Sequence, residues 1–340
     1  MMLAGRKSAA QQIDAPARMT QTTESIKLAR AAAARLPGLS AGAGSRPLAT
    51  EPLPAQAGSW RLEGLLGEGT LARVFAAQPA GSPTDRPAPY ALKMLRPRWN
   101  DRPDAVALLR REASIGRSVA HPHLVAILAA HVHEPPYFVV MPRLAGETLA
   151  KLLHRESTLS VRHALWIARQ TAEALEAMHR HGLLHGDVKP ANLQLAPTGH
   201  ATLLDLSFAR PMNDGSSLVD LPLLGTLNYL PPEQIGSTLR SDHRSDIYGL
   251  GVVLYEMLAG APPFEASDLG QLLQMHRQDR PRHLRTVRPD VPTRLANLVR
   301  QMLSKEPLRR PQTIDEVIHD FVRLEITECA GADFGPEPTV

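Results

Sequence analysis

The sequence predicts an α+β chain in which a small strand-rich lobe precedes a larger helical one. Three observations predict it. Between Trp60 and Met141, short apolar runs alternate with turn signals, and one stretch alone has helical periodicity. After Leu144 the pattern turns helical. Residues 1–58 are rich in Ala, Pro, Gly, Ser and Thr, a composition that cannot bury enough surface to offset chain entropy.

Taken in order, the tail holds one Ala-rich stretch, Thr23 to Leu36, closed by Pro37-Gly38 and read as a short, marginal helix. From Trp60, WRLEGLLGEGTLARVFAAQ reads as strand, glycine-rich turn, strand. Pro79 to Pro89 is a loop, and Tyr90 to Leu95 a strand carrying Lys93. Pro103 to Val119 is helical, with proline in its first turn. Val125 to Val132 and Tyr137 to Met141 read as a strand pair. Ser160 is placed to cap a long helix, Val161 to Arg180, whose Ala164, Ile167, Ala168, Thr171, Leu175 and Met178 recur on one face. Two short strands follow, Leu193 to Leu195 and Ala201 to Leu204, then a polar connection to Glu233. Further helices are expected at about 245–259, 267–277, 293–303 and 313–324. The expected division is a tail at 1–58, a small lobe at 59–144, a large lobe at 145–325 and a second tail at 326–340.

Composition narrows the function classes. The 340 residues are 43% hydrophobic but only 4% aromatic, so the core must be built mainly from Leu, Val, Ala and Ile. The single cysteine, Cys329, rules out an intramolecular disulfide and fits a reducing, cytoplasmic setting. Residues 1–59 carry seven Lys/Arg against three acids, so the whole formal charge of +4 lies on the low-complexity tail. A nucleic-acid binder wants its basic face on a folded module, so that reading is set aside. No apolar run of 18 residues or more predicts a membrane span. The 14 histidines and one cysteine show no zinc-ligand spacing.

The chemistry concentrates in His185-Gly-Asp-Val-Lys-Pro-Ala-Asn192. Apolar Leu183 and Leu184 lead into this loop and Leu193 to Leu195 lead out, so it is pinned between buried segments. Asp187 could accept a proton from a hydroxyl. Asn192 offers a carbonyl oxygen to a divalent cation, and Lys189 could neutralise a phosphoryl group. Asp205 is the next acid with an apolar approach. Base, cation and two metal donors are the inventory of phosphoryl transfer, where positioning and charge neutralisation do most of the catalysis. Upstream, Gly67-Glu-Gly69-Thr-Leu-Ala72-Arg-Val74 joins two strands and could let backbone N–H groups approach a phosphate. Lys93 sits mid-strand, and Glu112 on the following helix could pair with it.

As an ordered set, these motifs resemble the eukaryotic-like (Hanks-type) serine/threonine protein kinases from about Trp60 to Leu324. The resemblance implies a bilobal fold and transfer of the γ-phosphate of ATP, with Mg²⁺, to Ser or Thr of protein substrates, self-association being compatible with it. Lys93 would hold the α- and β-phosphates, paired with Glu112. Asp187 would take the substrate proton, Lys189 would steady the γ-phosphoryl, and Asn192 and Asp205 would bind magnesium. Gly67 and Gly69 would cover the phosphates, and Val74 and Ala91 would pack on adenine. Met141 would be the gatekeeper, Pro142 to Leu144 the hinge, and Glu147 the ribose contact. Thr226, in Gly225-Thr-Leu-Asn-Tyr229-Leu-Pro-Pro-Glu233, would bond to Asp187 and Lys189. Glu233 would pair with Arg310, and Asp246 would brace the catalytic loop.

The sequence also departs from that pattern. Gly186 stands where arginine is common, which weakens control through a phosphorylated activation segment bearing Ser216 and Ser217. The metal motif reads Asp205-Leu206-Ser207, so a serine replaces the flexible glycine. Gln194 lies where an apolar residue usually floors the adenine pocket. Ala72 replaces the third glycine. Ser207 and Gln194 support an alternative, a pseudokinase scaffold. The His-Gly-Asp triplet supports another, a small-molecule phosphotransferase of the aminoglycoside-kinase kind.

Overall fold

The computed structural model describes residues 53–212, 227–235 and 241–330. The expected Thr23–Leu36 helix, Ser216, Ser217, Gly225 and Thr226 lie outside the described residues.

The small lobe is built on a six-stranded antiparallel sheet: β1 (Gln56–Ala57), β2 (Trp60–Glu68), β3 (Ala72–Pro79), β4 (Tyr90–Leu95), β5 (Ala129–His131) and β6 (Phe138–Pro142), in the order β1-β2-β3-β4-β6-β5. Between β4 and β5 comes helix α1, Pro103–Ser118, with proline at its start as expected. Register sorts the side chains into two faces. Phe75, Ala77, Leu92, Met94, Phe138 and Val140 form one apolar cluster, while Leu95 and Val139 pack with Ala105, Val106, Leu109 and Ala113 of α1. Gly116 lets α1 approach closely, because a Cβ there would collide with the Ile127 side chain.

The expected strand from Val125 to Val132 is shorter than the sequence suggests. Val125 N–H donates to Leu203 O at 2.9 Å and Ile127 N–H to Gly116 O at 3.0 Å, so those amides bond to the large lobe and to α1 instead of to a sheet neighbour. This segment stitches the two lobes together.

The large lobe begins with β7 (Glu147–Thr148), α2 (Leu149–Glu156) and α3 (Val161–Arg180). Ser160 caps α3 by accepting from His163 N–H at 3.2 Å. Then come β8 (Leu183–Leu184), β9 (Leu193–Leu195), β10 (Ala201–Leu203) and β11 (Arg210–Pro211), forming a three-stranded sheet β10-β9-β7 and a pair β11-β8. These strands bracket the loop at 185–192, so both of its ends are anchored.

The helices that follow are α4 (His243–Ala259), α5 (Leu269–Gln278), α6 (Leu284–Val287), α7 (Thr293–Met302) and α8 (Ile314–Ala330). α4 is buried on all sides, as a helix apolar around its circumference must be. Asp242 caps its first turn and left-handed Gly260 ends it. The last helix, expected at about 313–324, runs on to Ala330. Leu324 joins the core, and Arg169 of α3 holds Glu325 at 2.9 Å, which keeps the helix docked beyond its expected end.

Two buried polar groups brace this lobe. Arg310 and Glu233 meet through paired bonds of 2.7 Å with side chains 0% and 1% exposed. Ser245 Oγ donates to Glu233 at 2.7 Å, and Arg310 donates to the carbonyls of Ser304 and Arg244 at 2.8 and 2.9 Å. His276 is fully buried, with Nδ1 3.0 Å from the Tyr248 hydroxyl and its ring edge-on to Phe264. Burial, helped by the nearby Lys305 ammonium, pushes its pKa down to about 4.

Arg310→Leu strands the Glu233 carboxylate in the core, so it should destabilise the protein by about 3–5 kcal/mol, measured by denaturant unfolding. The depressed pKa of His276 has a definite sign. Its unfolded form binds a proton below about pH 6.5 while the folded form does not until about pH 4, so stability is present above that window and lost on acidification through it. Between pH 7 and pH 5 the wild type should lose about 2 kcal/mol more than His276→Gln, read from denaturant midpoints at the two pH values.

Candidate active site

The site lies where the small-lobe sheet faces the loop at 185–192 and the turn at Asp205. Alternation along the strands puts Val74, Ala91, Lys93 and Met141 on one face of the sheet, with Val74 opposite Lys93 and Ala91 opposite Met141. The glycine turn joins β2 to β3. Gly69 N–H donates to Ala72 O at 2.8 Å, and a Cβ at Gly67 would meet nothing within 4 Å. Glu68 at the tip is gripped by Arg73 at 2.9 Å and Arg96 at 2.7 Å, and Arg96 also donates to Gly69 O at 2.9 Å.

Lys93 is the hub. Its ammonium donates to Glu112 Oε2 at 2.7 Å, Asp205 Oδ1 at 2.8 Å and Ser207 Oγ at 3.3 Å. The side chains of Lys93, Glu112 and Asp205 are 15%, 1% and 31% exposed. Burial alone would lower the Lys93 pKa, but the carboxylates of Asp205 and Glu112 outweigh it and hold the ammonium well above the usual lysine range. Burial would raise Asp205, and the Lys93 charge and hydrogen bond instead pull it well below the usual carboxylate range. Glu112 is raised, chiefly by burial, against the opposing pull of Lys93.

Asp205 adopts a left-handed backbone, φ 61° and ψ 83°. That turn aims its carboxylate at Lys93 while Leu206, fully buried, plugs into the large-lobe core. A short 3₁₀ turn, Leu206–Phe208, follows.

The loop at 185–192 holds the second group. Lys189 Nζ lies 2.7 Å from Asp187 Oδ2, and Asn192 Nδ2 donates to both Asp187 O and Oδ2 at 2.8 Å. Lys189 also contributes to holding the Asp205 carboxyl down, so the two groups sense each other. Asp246 of α4, with its side chain 1% exposed, accepts from His185 N–H at 2.9 Å, Gly186 N–H at 2.8 Å and His179 Nε2 at 2.9 Å. Burial works to raise Asp246, but the His179 hydrogen bond and the surrounding positive charge lower it. Buried His185 bonds Leu204 O at 3.0 Å, tying this loop to the approach to Asp205.

The structure thus brings Lys93, Glu112, Asp187, Lys189, Asn192 and Asp205 into one place. Glu147 stands apart: its carboxylate is held by Arg155 at 2.5 Å. Leu144 is half-buried on the link after β6, and Thr226 lies outside the described residues. Gln194 finds the partner it needs in Ala145 O, at 3.1 Å. At Gly186 the backbone is left-handed, φ +77°, and a Cβ would come within 3.0 Å of Phe208 O. Any side chain is strained here, so the residue suits the local backbone. Sequence reasoning missed two contributors. Ser207 reads in the sequence only as a stiffer glycine, and nothing local points to Glu112, 95 residues away, as its partner. His185 reads in the sequence only as a loop member.

Among the described residues no group of three or more His, Cys, Asp or Glu could cage a metal. Asn192 and Asp205 each carry an oxygen that could ligate a hard cation such as magnesium. A cavity of about 1050 Å³ lies elsewhere, lined by Arg280, Arg282, Arg294, Arg300 and Arg323 beside Asp320. It holds none of these groups, so the site is located by its chemistry and not by cavity size.

A small lobe of sheet and one helix over a helical lobe, with this lysine–glutamate–aspartate cluster between them, defines a bilobal α+β phosphotransferase-like fold. The protein kinase domain family matches residues 60–322, and the chain belongs to it. Its relatives include serine/threonine-protein kinase PknB of Mycolicibacterium smegmatis, 33% identical over 272 residues, covering 78% of this chain and 43% of that one. PknD of Mycobacterium tuberculosis is 33% identical over 259 residues, covering 75% and 38%. A probable serine/threonine-protein kinase of Clostridium perfringens is 28% identical over 235 residues, covering 69% and 34%. The chain therefore spans less than half the length of these curated relatives. No described helix is long and apolar enough to cross a membrane.

Asp246→Asn replaces one acceptor oxygen with an amide that opposes a backbone N–H. It should destabilise the protein by about 2 kcal/mol and speed hydrogen exchange at His185 and Gly186, measured by denaturant unfolding and exchange mass spectrometry.

Proposed function

We propose that this chain transfers the γ-phosphoryl group of ATP to serine or threonine hydroxyls of protein substrates, itself among them. The observation that carries the reading is the assembled pair of clusters: Lys93 bonded to Glu112 and Asp205, beside Asp187 bonded to Lys189 and Asn192. The names of the relatives support a protein acceptor over a small molecule. Ser207 and Gln194, the features behind the scaffold alternative, both have partners inside the fold.

In this reading the face bearing Val74, Ala91 and Met141 receives adenine, Leu144 lies on the hinge, and Gly67 and Gly69 lie over the phosphates. Lys93, fully charged, exchanges its bond to Asp205 for the α- and β-phosphate oxygens while Glu112 keeps it aimed. Asp187 accepts the hydroxyl proton as the substrate oxygen bonds to the γ-phosphorus and the bond to the β-bridging oxygen breaks, ADP carrying away that electron pair. Lys189, already 2.7 Å from Asp187, offsets the charge that develops beside it. Asn192 and Asp205 would hold magnesium, which when bound neutralises charge on the phosphates. Thr226 would steady Asp187 and Lys189, and Glu147 would reach the ribose by releasing Arg155. Self-association and a cytoplasmic setting belong to the same proposal, the latter supported by the lone cysteine.

Asp187→Asn should lower phosphate transfer to a generic protein substrate by roughly 10²- to 10⁴-fold while ATP still raises the melting temperature. Transfer by the wild type no greater than by this variant would sink the proposal.

A further inference from the structure

The geometry points to Ser207 as a positioning residue: its hydroxyl latches Glu112 on α1 to the Asp205 turn and holds Lys93 ready before nucleotide arrives. This rests on the phosphoryl-transfer reading of the same site.

Three contacts carry the inference. Ser207 Oγ donates to Glu112 Oε2 at 2.9 Å and accepts from Lys93 Nζ at 3.3 Å. Its own N–H donates to Asp205 Oδ1 at 3.3 Å. The residue is 7% exposed, so water competes poorly for these bonds. One residue of the large lobe thus touches all three charged groups of the cluster, two through its hydroxyl and one through its backbone N–H. Glycine at this position would keep the backbone contact and lose both hydroxyl contacts.

Lys93 spends its three donors on Glu112, Asp205 and Ser207. To reach phosphate oxygens it must give up at least one of them. As the ammonium turns from Asp205 toward the phosphates its bond to Glu112 loosens, and the Glu112 side chain, 1% exposed, has no water to make up for it. The Ser207 hydroxyl stays on the same oxygen, Oε2, that Lys93 uses, so the carboxylate remains satisfied while the ammonium turns. α1 therefore has no reason to swing away during the exchange. Without the hydroxyl, a fraction of molecules holds α1 out of place, and apparent ATP affinity falls by that fraction.

The test compares Ser207→Ala, which deletes the hydroxyl at nearly constant volume, with Ser207→Thr, which keeps it. With Ser207→Ala, the KM for ATP should rise roughly fivefold to tenfold, with kcat within about twofold, and Ser207→Thr should restore KM. In nucleotide-free protein, the α1 amides around Glu112 should exchange roughly fivefold faster in Ser207→Ala than in wild type, with wild-type rates in Ser207→Thr. Unchanged α1 exchange and unchanged KM in Ser207→Ala would overturn the latch. If the wild type transfers no phosphate, the kinase reading fails, and the exchange comparison still decides the latch.

Discussion

The structure depends on one buried charge arrangement, the Lys93 ammonium shared between Glu112 and Asp205. Each of these residues comes from a different element: β4, α1 and the turn after β10. A carboxylate as enclosed as Glu112 is tolerable only with a cation and hydrogen bonds around it. The cluster therefore fixes more than its own geometry. It sets where α1 lies on the sheet and how closely the small lobe sits on the Asp205 turn, and so the width of the space in which a nucleotide would lie. Its cation stays charged because two anions outweigh the cost of burial, the state that phosphate binding needs.

A second constraint is the accounting of backbone groups in the loop at 185–192. This loop is short, irregular and largely buried, so its N–H groups cannot rely on water. Asp246 accepts two of them from a fully buried helix, and His185 closes the circuit to Leu204. The loop is thereby tied to the helix behind it. Arg310 and Glu233 do the same service further out, joining the segment after Tyr229 to the helical core. Both are buried ionic groups whose every bond is supplied by protein, which is the condition under which such groups specify one arrangement.

Two of the departures from the family pattern look different in three dimensions. Gly186 occupies a backbone conformation that disfavours any side chain, so its identity follows from the local turn. Ser207 trades the freedom of glycine for two bonds inside the charge cluster. Rules broken locally at functional positions are commonly offset by contacts made elsewhere, and here the offsetting contacts are visible.

The sequence by itself determined the two-lobe plan and the helix starts at Pro103 and Ser160, and it singled out Lys93, Glu112, Asp187, Lys189, Asn192 and Asp205 as candidates. These are legible because periodicity, capping and ordered motifs are local signals, and independent motifs reinforce one another. The pairing of Lys93 with Glu112 was legible as a possibility from the strand and the helix after it, whereas that of Glu233 with Arg310 was legible only through resemblance to a family. Tertiary structure alone decided the rest. It shortened the strand expected from Val125, because those amides bond to Leu203 and Gly116, and it carried α8 past 325, because Glu325 reaches Arg169. It turned Ser207 from a stiff substitute for glycine into a partner of Glu112. Each of these outcomes depends on groups far apart in sequence, and no periodicity or turn signal reports which distant donor will meet which acceptor.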